Sequence, residues 1–219
     1  IFKKSINLPN IESLPDEHFA KKYVLGRKIP KQFHSQLYYA DDFKAFVKSL
    51  DLEKDLHDND KRLVIPFYDE NKNLIAFQGR ALGESKIRYI TCKLSDDNKK
   101  IFGQDRIDLN KPVYVVEGPI DSMFIKNSIA AAGSDLSRVL SIIPDPIFVF
   151  DNEPRNKDIC KIMAKIMSKG GKFVIWPDNI KEKDINDMKL AGKDPEKIIK
   201  ENIFSGLEAA AKFTFWRKS

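Results

Sequence analysis

The chain has 219 residues, of which 42% are hydrophobic and 32% charged, the balance of an ordinary globular protein. This length suffices for one or two domains whose core needs no disulfide or metal to hold it. The formal net charge of +6 permits a polyanionic partner without requiring one. No apolar run approaches the ~20 residues of a membrane-spanning helix, which argues against membrane insertion.

The first third of the chain predicts a mixed α+β region. Short helices are expected from Asp16 and over residues 41–50, where apolar side chains recur at helical spacing. Residues 62–68 and 74–80 are β-rich and flank the polar turn 69–73, so they predict a hairpin. Residues 86–91 predict a third strand.

From Lys111 onward the pattern changes to alternating strands and helices. The expected strands are residues 113–116, 129–132, 147–150 and 172–176, with helices over 120–127 and 159–169. Such alternation predicts a parallel, doubly wound sheet. Residues 195–216 carry apolar side chains at helical spacing and predict a C-terminal helix packed on this domain.

Acidic residues follow three of the four expected parallel strands. They are Glu117; Asp151 and Glu153; and Asp178, Asp184 and Asp187. A single Asp after a strand is usually a turn former or helix cap. In an open α/β sheet, however, ligands bind beyond the carboxyl ends of the strands. A cluster of carboxylates there must be neutralised by protons, basic side chains or a hard divalent cation such as Mg²⁺ or Mn²⁺.

The strand-end motifs resemble those of the TOPRIM fold. The segment 115–122 (VVEGPIDS) is similar to its first motif, a strand followed by Glu-Gly and a helix, and 148–153 (FVFDNE) resembles its Asp-x-Asp motif, with Glu153 replacing the second Asp. The segment 183–187 (KDIND) is similar to the acidic stretch after the last strand of TOPRIM primases.

Segments upstream narrow the resemblance to the bacterial-type primase core. They are 62–67 (RLVIPF), 75–82 (IAFQGRAL), 88–90 (RYI) and 100–104 (KIFGQ). The small size and the lack of a helicase phosphate-binding loop make the chain similar to the separate primase of T-even-type phages. The resemblance implies an N-terminal α+β subdomain over residues 1–110, a TOPRIM catalytic domain over 111–194 and a C-terminal helical segment over 195–219.

The same resemblance implies a function and its residues. A primase core copies single-stranded DNA into short RNA primers from ribonucleoside triphosphates, using Mg²⁺ or Mn²⁺, in the cytoplasm and beside a replicative helicase. Glu117, Asp151 and Glu153 are the expected catalytic acids, and Asp184 is expected to join them as a metal ligand. Arg62, Arg80, Arg88 and Lys100 are expected to hold template or nucleotide, on a ridge that faces the acids if the Arg80 and Arg88 strands are neighbours.

Such primases also carry a zinc-binding domain upstream, and zinc is expected only there. His18, His34 and His57 are scattered, and Cys92 and Cys160 cannot form a four-thiolate site, so either that domain was removed or the protein lacks it. Three alternatives stay open for the function: a TOPRIM nuclease, a topoisomerase fragment, or a non-catalytic module that binds nucleic acid. The first two would act on DNA without ribonucleotides, and the third would not depend on metal.

Overall fold

The computed structural model describes residues 5–56, 60–96, 100–131 and 139–218. The chain divides into two compact units, Ile1–Asp105 and Arg106–Ser219. The sequence-based boundary after residue 110 lies close to this division, and residues 195–219 fall within the second unit. His57 and residue 132, the last of the expected strand 129–132, lie outside the described residues.

The first unit is built on a four-stranded antiparallel sheet in the order β1-β2-β3-β4. Its elements are, in chain order, α1 (Phe19–Gly26), a 3₁₀ helix (Lys31–Gln36), β1 (Tyr38–Ala40), α2 (Phe43–Ser49), β2 (Arg62–Tyr68), β3 (Leu74–Ala81), β4 (Tyr89–Lys93) and a second 3₁₀ helix (Gln104–Arg106), whose last residue is the first of the second unit. The predicted hairpin is present as β2 and β3. The third strand begins at Tyr89 rather than at residue 86.

Local chemistry explains the hairpin. The carboxylate of Asp69 accepts the backbone N–H groups of Asn71 (2.9 Å) and Asn73 (2.8 Å), which closes the turn. One face of the sheet packs on α2 through a core that includes Phe43, Val64 and Phe77. At Gly79 a Cβ atom would lie 2.5 Å from the Phe43 ring, so glycine is required for this close approach.

The second unit contains a five-stranded sheet in the order β6-β5-β7-β8-β9. Its first four members are parallel, as expected, and β9 is antiparallel to β8. The elements are β5 (Tyr114–Val116), α3 (Pro119–Ser122), β6 (Ser128–Ala130), β7 (Ile147–Val149), α4 (Lys157–Ser168), β8 (Lys172–Val174), α5 (Ile185–Leu190), α6 (Pro195–Glu201), β9 (Ile203–Phe204) and α7 (Gly206–Trp216).

Two helix predictions need correction. The helix after Glu117 ends at Ser122 instead of reaching residue 127. The next turns form hydrogen bonds between residues three apart, as in a 3₁₀ helix, and Asn127 adopts φ 52°. The expected helix 195–216 is two helices separated by β9. Phe204 pairs with Phe173 of β8, Gly206 has φ 60°, and Leu207, placed on the expected buried face, is 91% exposed.

Among the described residues, no helix is long and apolar enough to cross a membrane.

Candidate active site

The first two predicted acids meet at the carboxyl edge of the parallel sheet. Strands β5 and β7 are neighbours, with Val116 opposite Val149, so the residues that follow them emerge side by side. The Glu117 carboxylate accepts the backbone N–H of Asp151 at 3.1 Å. The sheet therefore brings together two acids that are 34 residues apart in the chain.

Burial makes these acids hard to ionise. The pKa of Asp151 is raised to about 8, first because burial disfavours the charge and then because the charges of Glu117, Asp121 and Asp184 repel it. The pKa of Glu117 is also raised by burial, and the charge of Glu153 adds to the effect. The protonated forms of these two acids are therefore favoured over their charged forms.

Lys183 is the cation that partly balances this charge. Its Nζ lies 3.3 Å from a carboxylate oxygen of Glu153, and it lowers the pKa of both Glu117 and Asp151. In turn, the hydrogen bond with Glu153 and the charges of Asp151 and Asp184 raise the pKa of Lys183. Glu153, the acid that departs from the Asp-x-Asp pattern, is therefore engaged by a lysine.

Asp184 and Asp187 come from the segment after β8. Asp184 is the N-cap of α5, and its carboxylate accepts the N–H of Asp187 at 2.7 Å. This is the ordinary capping role of an Asp at that position. Asp184 also lies within electrostatic reach of Asp151, so it belongs to the acidic group, whereas Asp178 is exposed on the preceding loop.

Asp121 is an acid that the sequence interpretation quoted but gave no role. It lies in the first turn of α3, its charge raises the pKa of Asp151, and its carboxylate accepts the N–H of Asn186 at 3.0 Å. An acid in the first helical turn is common for capping reasons alone. Its position four residues after Glu117 could have indicated that both lie at the same edge.

The donor set suits a hard cation, but its members do not converge as they stand. No group of three or more His, Cys, Asp and Glu side chains within the described ranges is placed to hold a metal ion. Glu117 faces the Asp151 N–H, and Glu153 faces Lys183. Carboxylate oxygens with raised pKa values are nevertheless ligands that Mg²⁺ or Mn²⁺ would stabilise in the ionised form.

The expected basic residues of the first unit fall into two groups. Arg88 is exposed and Lys100 half-buried. Arg80 is 7% exposed, and its guanidinium lies 5.0 Å from the centre of the Tyr89 ring and 5.6 Å from that of Tyr23. Its Nε has no hydrogen-bond partner among the described residues.

Arg62, expected to hold template or nucleotide, is buried in a hydrogen-bond network of the first unit. It is 1% exposed, and its guanidinium donates to both carboxylate oxygens of Asp60, at 2.7 and 2.6 Å. It also donates to the carbonyls of Gly79 (2.9 Å) and Ile87 (2.8 Å). This network occupies the Arg62 guanidinium and ties it to the 85–88 loop, which carries Arg88.

The family of the chain follows from its sequence similarity to known proteins. No family model matches the chain. The chain is 36% identical over 230 aligned residues to the DNA primase of Enterobacteria phage T4, covering 100% of this chain and 66% of that protein. The chain belongs to the DNA primase family.

A second primase relative, from Helicobacter pylori strain J99, is 26% identical over 57% of this chain and 26% of its own length. The chain therefore spans about two thirds of the phage primase and about a quarter of the bacterial one.

Solved primase structures share the fold of this primase-family chain. The zinc-binding and RNA polymerase domains of Aquifex aeolicus primase match with a TM-score of 0.65 and 21% identity, covering 94% of this chain and 64% of that one. The RNA polymerase domain of Mycobacterium tuberculosis primase, in complex with a double-stranded DNA that has a 6-nucleotide overhang, matches with a TM-score of 0.70 and 16% identity. This match covers 92% of this chain and 78% of that one. A primase catalytic domain bound to single-stranded DNA matches with a TM-score of 0.65 and 14% identity, covering 95% of this chain and 77% of that one.

Proposed function

We propose that this chain is the catalytic core of a DNA primase, which synthesises short RNA primers on single-stranded DNA from ribonucleoside triphosphates. The observation that carries the proposal is the 36% identity with a phage DNA primase over the whole chain. The pairing of Glu117 with the Asp151 N–H supports it, because it places acidic side chains at the edge of the sheet where α/β proteins bind ligands.

The acids would hold one or more divalent cations, Mg²⁺ or Mn²⁺. Glu117, Asp151 and Asp184 are the proposed ligands, and Glu153 would join them once Lys183 releases it. When bound, such a cation supplies neutralisation of triphosphate charge and favours attack of a 3′-hydroxyl on the α-phosphorus. Because the pKa of Asp151 is raised to about 8, protons and a cation would compete for this site.

The first unit would bind the template. Arg88 and Lys100 are proposed to contact phosphates, since Lys and Arg supply the sequence-independent part of nucleic-acid affinity. Tyr89 is 43% exposed, unlike the buried Phe67 and Phe77, and it rests against Arg80. An exposed aromatic ring beside a guanidinium is suited to stack on an unpaired base. Arg80, which is 7% exposed, is proposed to hold the Tyr89 ring in place for the nucleic acid.

The remaining partners follow from the proposed activity. An isolated primase core must be brought to unwound DNA, so a replicative helicase is the proposed protein partner. The chain would act in the cytoplasm, that of the host cell if it is encoded by a phage.

The test is incorporation of labelled ribonucleotides on single-stranded DNA with Mg²⁺ or Mn²⁺, for the wild type and Asp151→Asn. Short RNA products that disappear in the variant are expected. A parallel assay with a pre-annealed primer removes any dependence on initiation. Intact DNA binding without extension of that primer would contradict the polymerase assignment, and cleavage of the DNA would instead identify a nuclease.

A further inference from the structure

Asn152 lies between the two acids of the second motif, and its side chain points away from them to another segment. The side-chain amide donates to the carbonyls of Ile180 (3.0 Å) and Glu182 (3.2 Å). Its backbone N–H donates to the carbonyl of Lys183 at 2.6 Å. Asn152 thus makes three hydrogen bonds to a single stretch of chain, residues 180–184, called here the 180–184 segment.

The 180–184 segment carries two of the charges that act on Asp151. Lys183 pairs with Glu153 and lowers the pKa of Asp151, while the charge of Asp184 raises it. The segment follows β8, whereas Asp151 follows β7, so no hydrogen bond within either strand fixes their separation. The three bonds of Asn152 join the two directly.

Trp216, at the end of α7, fixes the orientation of the Asn152 amide. Its indole N–H donates to the Asn152 Oδ1 at 3.1 Å. An indole nitrogen can only donate and a backbone carbonyl can only accept, so one orientation of the amide satisfies all three contacts. Trp216 is 5% exposed and its ring packs on Phe213 of the same helix, with 6.3 Å between the centroids.

A second indole holds the other side of the same loop. The Trp176 N–H donates to the carbonyl of Phe150 at 2.8 Å. Both chain neighbours of Asp151, Phe150 and Asn152, therefore accept a hydrogen bond from a tryptophan indole. The Asp151 N–H itself goes to Glu117. The backbone at Asp151 is therefore held from three directions, two of which involve neither an acid nor a cation.

We infer that Asn152 is a positioning residue that holds Lys183 and Asp184 in place beside Asp151, and that Trp216 in the C-terminal helix fixes its amide. Neither residue touches the reacting groups. Asn152 acts through the 180–184 segment, and Trp216 acts through Asn152. The consequence for metal binding rests on the proposed function, but the consequence for the 180–184 segment does not.

The experiment compares Asn152→Ala, Trp216→Phe and the double variant, with Asn202→Ala as a matched control. Asn202 also donates its side-chain amide to a carbonyl, that of Ile198 at 2.8 Å, but on α6 rather than on the 180–184 segment. Three properties are measured on the whole chain: Mn²⁺ binding without substrate, tryptic cleavage after Lys181 and Lys183, and thermal unfolding. Primer synthesis against Mg²⁺ concentration is followed in parallel.

We expect Asn152→Ala to cleave faster after Lys181 and Lys183 and to weaken Mn²⁺ binding by about tenfold, the usual cost of losing a group that orients ligands. Trp216→Phe should weaken binding by about threefold, and the double variant should match Asn152→Ala within about twofold, because the inference assigns the effect of Trp216 on the site to its bond with Asn152. Asn202→Ala should bind Mn²⁺ like the wild type.

Different results overturn different statements. Unchanged cleavage in Asn152→Ala overturns the inference whether or not the protein binds metal. Faster cleavage and a lower unfolding temperature with unchanged Mn²⁺ affinity would reduce Asn152 to a structural role, which also overturns it. If the effects of Asn152→Ala and Trp216→Phe on Mn²⁺ binding add in the double variant, Trp216 acts independently of Asn152 and its part in the inference is wrong. A wild type that neither binds Mn²⁺ nor makes RNA would instead contradict the proposed function, leaving cleavage to decide the inference.

Discussion

The carboxylate of Glu117 accepts the backbone N–H of Asp151 at 3.1 Å, which joins the first and second motifs of the sheet edge. This bond is made by the backbone of Asp151, so it does not depend on whether the Asp151 side chain is charged. It holds the Glu117 carboxylate beside the half-buried Asp151, whose pKa the charge of Glu117 helps to raise. The edge of the sheet therefore holds two neighbouring acids whose charged forms are disfavoured.

Asp151→Asn is expected to abolish primer synthesis while it stabilises the fold at neutral pH. Activity should fall by about 100-fold or more, since a proposed ligand is lost. Folding favours the protonated acid, because its pKa rises from 3.8 to about 8. Its contribution to stability is therefore complete below about pH 4 and lost as the pH rises towards 8. The uncharged side chain introduced by Asp151→Asn does not lose this stability as the pH rises.

Denaturant unfolding of wild type and Asp151→Asn at pH 5 and pH 8 measures this. The variant's advantage should be larger at pH 8, by at least about 1 kcal/mol, because one pKa unit corresponds to about 1.4 kcal/mol. Glu208→Gln, which neutralises an exposed acid on α7, is the control and should show no such growth. An advantage for Asp151→Asn that shrinks between pH 5 and pH 8 would contradict the burial of this charge.

Lys183→Ala is expected to tighten binding of Mn²⁺ to the free protein. Lys183 holds Glu153 at 3.3 Å and adds a positive charge beside Asp151 and Asp184, so it competes with an incoming cation for the same carboxylates. Both partners are partly exposed, which limits the effect to about two- to tenfold. Titration with Mn²⁺ at low salt measures it, with Lys169→Ala as a control of equal charge. Weaker binding in Lys183→Ala would mean that the lysine supports the site rather than competing there.

The sequence sufficed to predict the acids that follow strands directly, because parallel strands end at a common edge whatever their exact length. Glu117 and Asp151 lie together for that reason. It could not predict the burial of Arg62, whose acceptors at Gly79 and Ile87 come close only when β2 and β3 pair and the next loop folds back. Nor could apolar spacing distinguish one helix over 195–216 from two helices flanking β9, since Phe204 is held by its pairing with β8.

Arg88→Ala is expected to weaken binding of single-stranded DNA without affecting stability. The side chain is exposed, and surface substitutions of this kind change stability by less than about 0.5 kcal/mol. Losing one phosphate contact should reduce the slope of log affinity against log salt by about 0.7. Anisotropy of a labelled oligonucleotide between low and moderate salt measures the slope. An unchanged slope would remove Arg88 from the proposed template surface.

Tyr89→Ala tests the proposed stacking separately from charge. Loss of the ring should cost about 1 to 3 kcal/mol of single-stranded DNA affinity, the range for base stacking on an aromatic side chain, with the salt slope unchanged. Tyr89→Phe keeps the ring over Arg80 and should retain most of the affinity. If Tyr89→Phe loses as much as Tyr89→Ala, the hydroxyl rather than the ring carries the contact.

Arg62→Met should lower the stability of the protein and leave the salt dependence of DNA binding unchanged, the reverse of Arg88→Ala. The substitution leaves the Asp60 carboxylate, 16% exposed, without its bidentate partner and removes the donors to the Gly79 and Ile87 carbonyls. Breaking a buried pair in this way costs about 3 to 5 kcal/mol, so the unfolding temperature should fall clearly. In the folded protein at low temperature, the salt slope of DNA binding should stay that of the wild type, because the Arg62 guanidinium is buried and bonded within the first unit. A reduced slope with unchanged stability would return Arg62 to the nucleic-acid surface.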